Sequence, residues 1–172
     1  MFTKNFYSFV LIKGLRTTIP QSITSTDGKV HDHVYYYNNT SDMIFGAISS
    51  FTSSATSYGV QIGTGTTPAT IDDYKLESQL IAGVTFSGTT GASFNIDDDG
   101  CSIFTTGGVK NTGSEPISVS EIGLVSRLYN GTGSSNYCCA LLDRTVLEEP
   151  IVIKPKETKQ LTYTIRFNYP TA

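Results

Sequence analysis

The residues best suited to chemistry in this chain of 172 residues are two histidines that lie close together. His31 and His33 flank Asp32 in a segment that we interpret as a β-strand. Residues i and i+2 of a strand point to the same side, so both imidazoles would share one face. Imidazole binds transition metals well, but two ligands are too few for a site in one chain, whereas three copies around a symmetry axis would supply six. A single dipeptide spacing carries little specificity, and we therefore interpret both as exposed histidines and assign no metal site.

Two other stretches have the composition of ligand-binding loops without the required spacing. Asp97, Asp98 and Asp99 are followed by Gly100, but the alternating ligands and late glutamate of an EF-hand calcium loop are missing. We predict a solvated hairpin turn there. The loop 63–68 (GTGTTP) has neither the Gly-Lys-Ser/Thr ending of a phosphate loop nor a third glycine at the dinucleotide spacing. We interpret it as a tight connection between a strand and a helix, and we predict no cofactor.

Nucleophilic catalysis also has little support in the sequence. No G-x-S-x-G motif occurs, and a Ser-His-Asp triad would have to use His31 or His33. The three cysteines are Cys101, Cys138 and Cys139. An odd number with two adjacent residues does not make a disulfide framework, and without a C-x-x-C pair a thiolate zinc site is not indicated. The sequence predicts reduced thiols, as in a protein assembled in a reducing cytoplasm, and no catalytic residue.

Charge and composition exclude two broad classes of partner. The formal net charge of −3 argues against a nucleic-acid binder that relies on neutralising phosphates. No stretch approaches the roughly 20 apolar residues of a membrane-spanning helix. Ser, Thr, Gly and Asn fill most polar positions, and this composition favours strands and turns over helices.

The clearest structural signal is the last strand. Apolar and polar residues alternate from Leu161 through Tyr163 and Ile165 to Phe167, which predicts one buried and one exposed face. Turn signals recur along the whole chain, and the apolar pattern changes register near Glu121, which indicates a β-bulge. We predict an all-β fold, a single antiparallel β-sandwich of jelly-roll or Ig-like type. One short helix is predicted at Asp72–Leu80.

The chain divides by pattern into residues 1–57 and a sandwich domain, 58–172. Residues 6–12 form an apolar run that we interpret as a first buried strand. The segment 1–57 is either extra strands of the same domain or an N-terminal arm. An isolated arm with so much apolar surface would aggregate, so it must fold back on its own sandwich or pack against a neighbouring chain. We favour assembly because 58–172 already contains enough strands for a sandwich.

Three stretches together resemble a pattern found in structural proteins of tailed bacteriophages. They read VQIGTGTTPATIDDYKLESQL, VKNTGSEPISVSEIGLV and CCALLDRTVLEEPIVIKPKETKQLTYTIRFNY, in that order. The pattern has a G-x-G-x-T-P loop before a D-x-x-L segment, then N-T-G-x-x-P-I-x-I-S-E-x-G-L. An L-L-x-R strand, a proline turn and a T-Y-T-I-x-F strand close it. The resemblance covers about residues 60–169, and the cysteines and the acidic turn at Asp97 depart from it.

The resemblance implies a non-enzymatic virion protein with a β-sandwich fold, assembled in the bacterial cytoplasm. Its partners would be copies of itself and other capsid, neck or tail proteins, without nucleic acid or membrane. An alternative is a carbohydrate- or receptor-binding module at a fibre or tail tip, with Tyr35, Tyr36, Tyr37 and Tyr129 as a stacking surface. A hydrolase, the third hypothesis, would require a convergent pocket containing His31 or His33.

Overall fold

The computed structural model describes residues 1–15, 22–32, 50–54, 56–129 and 137–170. These residues form one α-helix, α1 (Lys4–Leu15), and nine β-strands. The strands are β1 (Ile23–Thr24), β2 (Val30–His31), β3 (Gly59–Gly63), β4 (Val84–Ser87), β5 (Ser93–Asp97), β6 (Gly100–Asn111), β7 (Ile117–Tyr129), β8 (Tyr137–Ile153) and β9 (Thr158–Asn168). The described part of the chain is therefore mostly β, with one short helix.

The longer strands form two antiparallel sheets. In the first sheet, β7 lies between β3 and β8. In the second, β6 pairs along its whole length with β9 on one side. Its other side is shared by β4, which pairs near Asn111, and β5, which pairs near Gly100. A separate small hairpin joins β1 to β2 through a turn at Asp27 and Gly28.

One hydrophobic core contains side chains from both sheets. Its largest contributions come from the inner faces of β3, β7, β8 and β9. The members from the strands of these two sheets are Val60, Ile62, Val84, Val109, Val119, Leu124, Leu128, Cys138, Ala140, Leu142, Ile153, Leu161, Tyr163 and Ile165. A smaller cluster on the outer face of the first sheet contains Leu76, Val125, Cys139 and Leu141. The first sheet is thus covered on both faces.

The alternation predicted for the last strand is confirmed. Leu161, Tyr163 and Ile165 are buried, and Phe167 is partly buried against the same core. The intervening Thr164 is exposed. Period-two alternation on β9 therefore identifies the core-facing side of the second sheet.

The predicted bulge near Glu121 is also present, and a second irregularity lies in β8. The β7–β8 register shifts between Val119 and Glu121, and again where Leu124 pairs with Asp143 but Val125 pairs with Leu141. The second shift reverses the alternation of β8. Asp143 consequently points inward, where its Oδ2 accepts a hydrogen bond from Tyr163 Oη at 2.8 Å. Arg144 points to the outer face.

Residues 6–12 are helical, so the predicted first strand is wrong. Phe6 and Phe9, three residues apart, are buried, whereas Tyr7 and Val10 are exposed. A short apolar run does not distinguish a buried strand from a buried helix, and here the spacing of the buried residues is helical. Thr3 precedes the helix and fastens it to the first sheet, because its Oγ1 donates to Leu141 O at 2.6 Å.

The described parts of segment 1–57 belong to the core of their own chain. Phe9, Ile23 and Phe51 are in the same cluster as the two sheets. Phe51 also stacks on Phe86 of β4, with ring centroids 5.9 Å apart. Of the two alternatives for this segment, folding back on the same chain accounts for these contacts. The division at residue 57 and an assembly role for the segment stay predictions.

The helix predicted at Asp72–Leu80 does not form, and this prediction is wrong. The segment consists of turns, bends and irregular backbone, with one bridge from Gln79 to Gly63. A hydrogen bond typical of a helix N-terminus is present, since Thr70 N donates to Asp73 Oδ2 at 2.9 Å. However, the amides of Glu77 and Ser78 donate to the carboxylate of Glu121. They are therefore not available to the carbonyls four residues earlier, and the helix does not propagate.

Replacing Ile165 by alanine should destabilise the fold far more than replacing its neighbour Thr164 by alanine. Ile165 is buried and Thr164 is exposed on the same strand. We expect the first change to lower the free energy of unfolding by about 2–5 kcal/mol, as for other buried large-to-small changes. Urea denaturation of both variants measures the difference. Equal losses would mean that β9 is buried on both faces.

Phe9 and Tyr7 of α1 provide a matched test of whether the N-terminal segment stabilises this chain. Phe9 is 0% exposed and Tyr7 is 54% exposed. We expect Phe9→Ala to cost about 3–5 kcal/mol of unfolding free energy in the isolated chain. Tyr7→Ala should have a much smaller effect. If dilute, monomeric protein tolerates Phe9→Ala, the helix is not part of the core of its own chain.

Candidate functional site

The most concentrated polar site is built around Arg144, whose side chain is 3% exposed. Its Nε donates to Glu121 Oε2 at 2.8 Å, and its Nη1 donates to Asp73 Oδ2 at 2.9 Å. Its Nη2 donates to Thr67 O at 3.0 Å and to Glu77 Oε2 at 3.3 Å. A guanidinium offers five N–H donors in a rigid fork, and all three of its nitrogens are engaged here. The side chain therefore holds parts of this chain together.

Glu121 is the second centre of the site and is 0% exposed. Besides the contact with Arg144, its carboxylate accepts three backbone N–H bonds. They come from Gly65 at 3.1 Å, Glu77 at 3.0 Å and Ser78 at 2.7 Å. A buried carboxylate is tolerated only when it is paired and hydrogen-bonded, and Glu121 has both kinds of partner.

Two glycines allow the backbone to approach this carboxylate. Gly63 is the cross-strand partner of Glu121 in the β3–β7 ladder. A Cβ added at either Gly63 or Gly65 would lie within 3.0 Å of Glu121 Oε1. Any side chain at these two positions would collide with the carboxylate. The G-x-G spacing is therefore explained by close packing against Glu121, without a phosphate ligand.

The loop 64–80 is the segment that these interactions fasten. It lies over the outer face of the first sheet, where Leu76 packs with Val125, Cys139 and Leu141. Within the loop, Glu77 accepts bonds from Thr67 N at 2.8 Å and Thr67 Oγ1 at 2.7 Å. The loop is thus held on the sheet by the apolar contacts of Leu76 together with the ion pairs to Arg144.

The electrostatics of the cluster favour its charged forms. Desolvation raises the pKa of Asp73, but hydrogen bonds from Thr70 and Arg144 lower it more, so the net shift is downward. Hydrogen bonds from Thr67 lower the pKa of Glu77. Desolvation lowers the pKa of Arg144, and the carboxylates of Asp73 and Glu121 raise it above its ordinary value. The cluster is therefore an ion-pair network at neutral pH.

His31 lies in a pocket of about 380 Å³ beside Ser25 and Asp27. Ser25 Oγ is 3.0 Å from His31 Nε2 and donates to Asp27 Oδ1 at 2.5 Å. In a catalytic triad the carboxylate orients the histidine, whereas this carboxylate contacts the serine. Asp27 also accepts from Lys29 N and pairs with Lys29 Nζ at 2.9 Å, as in a hydrogen-bonded turn. His33, the other predicted ligand, lies outside the described residues.

Two cysteines line the same pocket and stay protonated. Desolvation raises the pKa of Cys138 to about 12 and that of Cys139 to about 11. The thiolate is the nucleophile and the metal ligand, so neither side chain is primed for these roles. Cys138, Cys139 and Cys101 are free thiols. Across the ranges that the structure describes, no group of three or more His, Cys, Asp or Glu side chains is placed to hold a metal.

The acidic stretch at Asp97 forms the predicted hairpin turn between β5 and β6. Arg166 binds the Asp97 carboxylate with both terminal nitrogens, at 2.8 and 2.9 Å. The hydrogen bonds from Arg166 lower the pKa of Asp97 to about 2. Arg166 of the same chain therefore compensates the negative charge of Asp97 in this turn.

The stacking surface expected from four tyrosines is not supported at Tyr129, which is 2% exposed. Tyr35, Tyr36 and Tyr37 lie outside the described residues. Arg127 makes cation–π contacts with two other tyrosines. Its guanidinium carbon lies 4.6 Å from the Tyr58 ring centroid and 5.0 Å from that of Tyr137.

The pairing of Glu121 with Arg144 was not predicted from the sequence, although both residues lie within the phage-like pattern. A signal was available at each position. Glu121 interrupts the apolar strand ISVSEIGLV, and Arg144 follows the buried run CCALLD. A charge in a buried strand requires a partner of opposite charge, and these two residues are such partners.

Comparisons with protein-family models, with curated proteins and with solved structures found no match to this chain. Within the described ranges, no helix has the length and apolar character needed to cross a membrane.

Replacing Arg144 by alanine should strongly destabilise the protein, because Glu121 would keep a buried charge without its cation. We expect a loss of about 3–5 kcal/mol in unfolding free energy, measured by chemical denaturation. The matched control is Arg166→Ala, which removes an exposed bidentate pair with Asp97 and should have a much smaller effect. Similar losses for the two variants would contradict the structural role of the cluster.

Stability should fall on acidification as Asp73 and Glu77 become protonated. Both have folded pKa values below their ordinary values of 3.8 and 4.5. Their contribution is therefore complete above the ordinary values and is lost as the pH falls through the lower folded values. Urea denaturation from pH 7 to about pH 3 measures this loss. Asp73→Asn should flatten the pH dependence, and an unchanged slope would mean that this carboxylate is not stabilised by Thr70 and Arg144.

Proposed function

We propose that this chain is a non-enzymatic structural protein of a tailed bacteriophage virion. It would act through subunit contacts at the capsid surface, in the neck or in the tail, after assembly in the host cytoplasm. Its partners would be copies of itself and other virion proteins. The proposal rests on the sequence pattern. The contacts around Glu121 and Arg144 give a physical reason why the residues of that pattern occur together.

The observation that carries the proposal is that separate parts of the pattern meet in space. The G-x-G-x-T-P loop contributes Gly65 and Thr67 to the Glu121–Arg144 site. Glu121 comes from the S-E-x-G-L strand, and Arg144 from the L-L-x-R strand. Motifs that converge on one buried cluster form a single structural unit. This favours a shared domain over three accidental matches.

The chemistry of the described side chains also favours a structural role. The cation of Arg144 is committed to groups of its own chain. The thiols beside His31 are protonated, and Asp27 contacts Ser25 in place of the histidine. These groups stabilise turns and loops.

For the fold itself, we propose that the two sheets form a β-sandwich of jelly-roll or Ig-like type. The shared core between β8 and β9 supports face-to-face packing. The Tyr163–Asp143 hydrogen bond joins the same two sheets.

A second candidate function is a carbohydrate- or receptor-binding module. The pocket of about 380 Å³ beside His31 favours it, because its lining is polar and Tyr137 at its edge is 44% exposed. Aromatic faces beside hydrogen-bonding groups suit sugars. A glycan array with wild type and Tyr137→Ala would reveal binding that depends on this residue. Binding that is equal in the two proteins, or absent from both, would count against this candidate.

The proposal of a virion protein is tested by locating the protein in particles. Antibodies raised against the purified chain should label intact phage particles from the source of the sequence, at a fixed position in electron micrographs. Mass spectrometry of purified particles should detect the chain in multiple copies. If the protein is expressed in infected cells but absent from particles, the proposal is wrong.

A further inference from the structure

Among the residues that the structure describes, strand β5 leaves both an edge and an apolar face of the second sheet uncovered. Its five residues pair with β6 on one side only among the described strands. Phe94 is 78% exposed and Ile96 is 67% exposed. An exposed apolar edge strand is a template for pairing with another chain.

The register shows that these two side chains lie on the core side of the sheet. Phe94 pairs with Ile103, which pairs with Ile165 of β9. Ile96 pairs with Cys101, which pairs with Phe167. Residues directly opposite in a ladder share a face, so Phe94 and Ile96 extend the apolar face that Ile165 buries. The core face of the sheet therefore continues beyond the part that is covered.

Strand β4, which pairs with the other half of the same side of β6, has its apolar side chain covered. Phe86 of β4 pairs with Val109 and is stacked on Phe51, and it packs against the core. Phe94 has the corresponding place on β5, and no described residue covers it in this way. The apolar surface also continues from Phe167 to Phe2, whose ring centroids are 6.1 Å apart.

We propose that β5 is a self-association surface whose occupant is β5 of a second copy of this chain, paired antiparallel about Asn95. The inference deepens the proposed function and rests on it for the expectation that copies meet. In this two-fold arrangement, Phe94 of each copy faces Ile96 of the other. The two apolar side chains are therefore complementary to their own copies, as an isologous contact requires.

Charge selects the antiparallel arrangement. Asp97, Asp98 and Asp99 all lie at one end of β5. Arg166 pairs with Asp97, so this end keeps a net negative charge from the other two aspartates. Antiparallel pairing about Asn95 places Asp97 opposite Ser93 of the second copy, and the two Asp97 residues lie about 13 Å apart along the strands. That distance exceeds the Debye length of about 8 Å at physiological salt. Parallel pairing would instead bring the acidic ends together.

The contact is small, and this sets its expected strength. Two short strands and four apolar side chains bury less than the roughly 800 Å² per partner of a stable interface. The pair belongs to the weak class, with a dissociation constant on the order of micromolar or higher. Other contacts in an assembly would reinforce it through effective concentration.

Cross-linking at the proposed axis provides the first test. In a Cys101→Ser background, Asn95→Cys places two thiols at directly opposed positions, with Cα atoms about 4.5–5.5 Å apart. That spacing lies within the range of a disulfide. Mild oxidation of concentrated protein should give a covalent dimer at least about tenfold faster than in the control Thr85→Cys, which is exposed on β4. Equal rates, or no dimer, would overturn the proposal.

Sedimentation equilibrium over a wide concentration range provides the second test. Wild type should self-associate, and the double variant Phe94→Thr/Ile96→Thr should weaken association at least about tenfold. Val152→Thr, which removes another half-exposed apolar side chain, should leave it unchanged. Wild type that stays monomeric throughout would overturn the proposal. The proposal would also be overturned if the double variant associated as strongly as wild type. In that case the assignment of this surface would be wrong, and the proposal of a virion protein would be unaffected.

Discussion

The buried pairing of Glu121 with Arg144 is the interaction on which the rest of the first sheet depends. Neither charge could remain in the interior alone, since an unpaired buried ion costs several kcal/mol. Satisfying Glu121 takes three backbone amides from a loop distant in sequence. The loop must therefore lie across the outer face of β7 and β8. The loop conformation, the glycines at 63 and 65 and the burial of Leu76 all follow from this requirement.

The strands could be predicted from the sequence because they depend on local alternation of apolar and polar residues and on turn-forming residues. The face of β9, the bulge at Glu121 and the hairpin at Asp97 were all predicted correctly. Each is encoded within a few residues. Apolar residues two apart define a face, and an Asp-Gly sequence defines a turn.

The errors lie where distant parts of the chain override local signals. Thr70 and Asp73 have the spacing of a helix start, yet the amides that would continue the helix are bound by Glu121. The run at residues 6–12 has no period-two or helical signature strong enough to decide its conformation. The candidate site could have been predicted only in part. The buried charges at Glu121 and Arg144 each require a partner of opposite charge. That they are each other's partners depends on the register of β7 and β8, which the sequence does not give.

The contact between Phe2 and Phe167 joins residues near the two ends of the described chain. Thr3 likewise hydrogen-bonds β8, far along the sequence. Closing such contacts requires a large loss of chain entropy before any stabilisation is gained, so folding of this topology should be slow. During synthesis, α1 would leave the ribosome long before β8 and β9 exist. Its apolar face would then need protection from premature association, which makes the nascent chain a candidate client for chaperones.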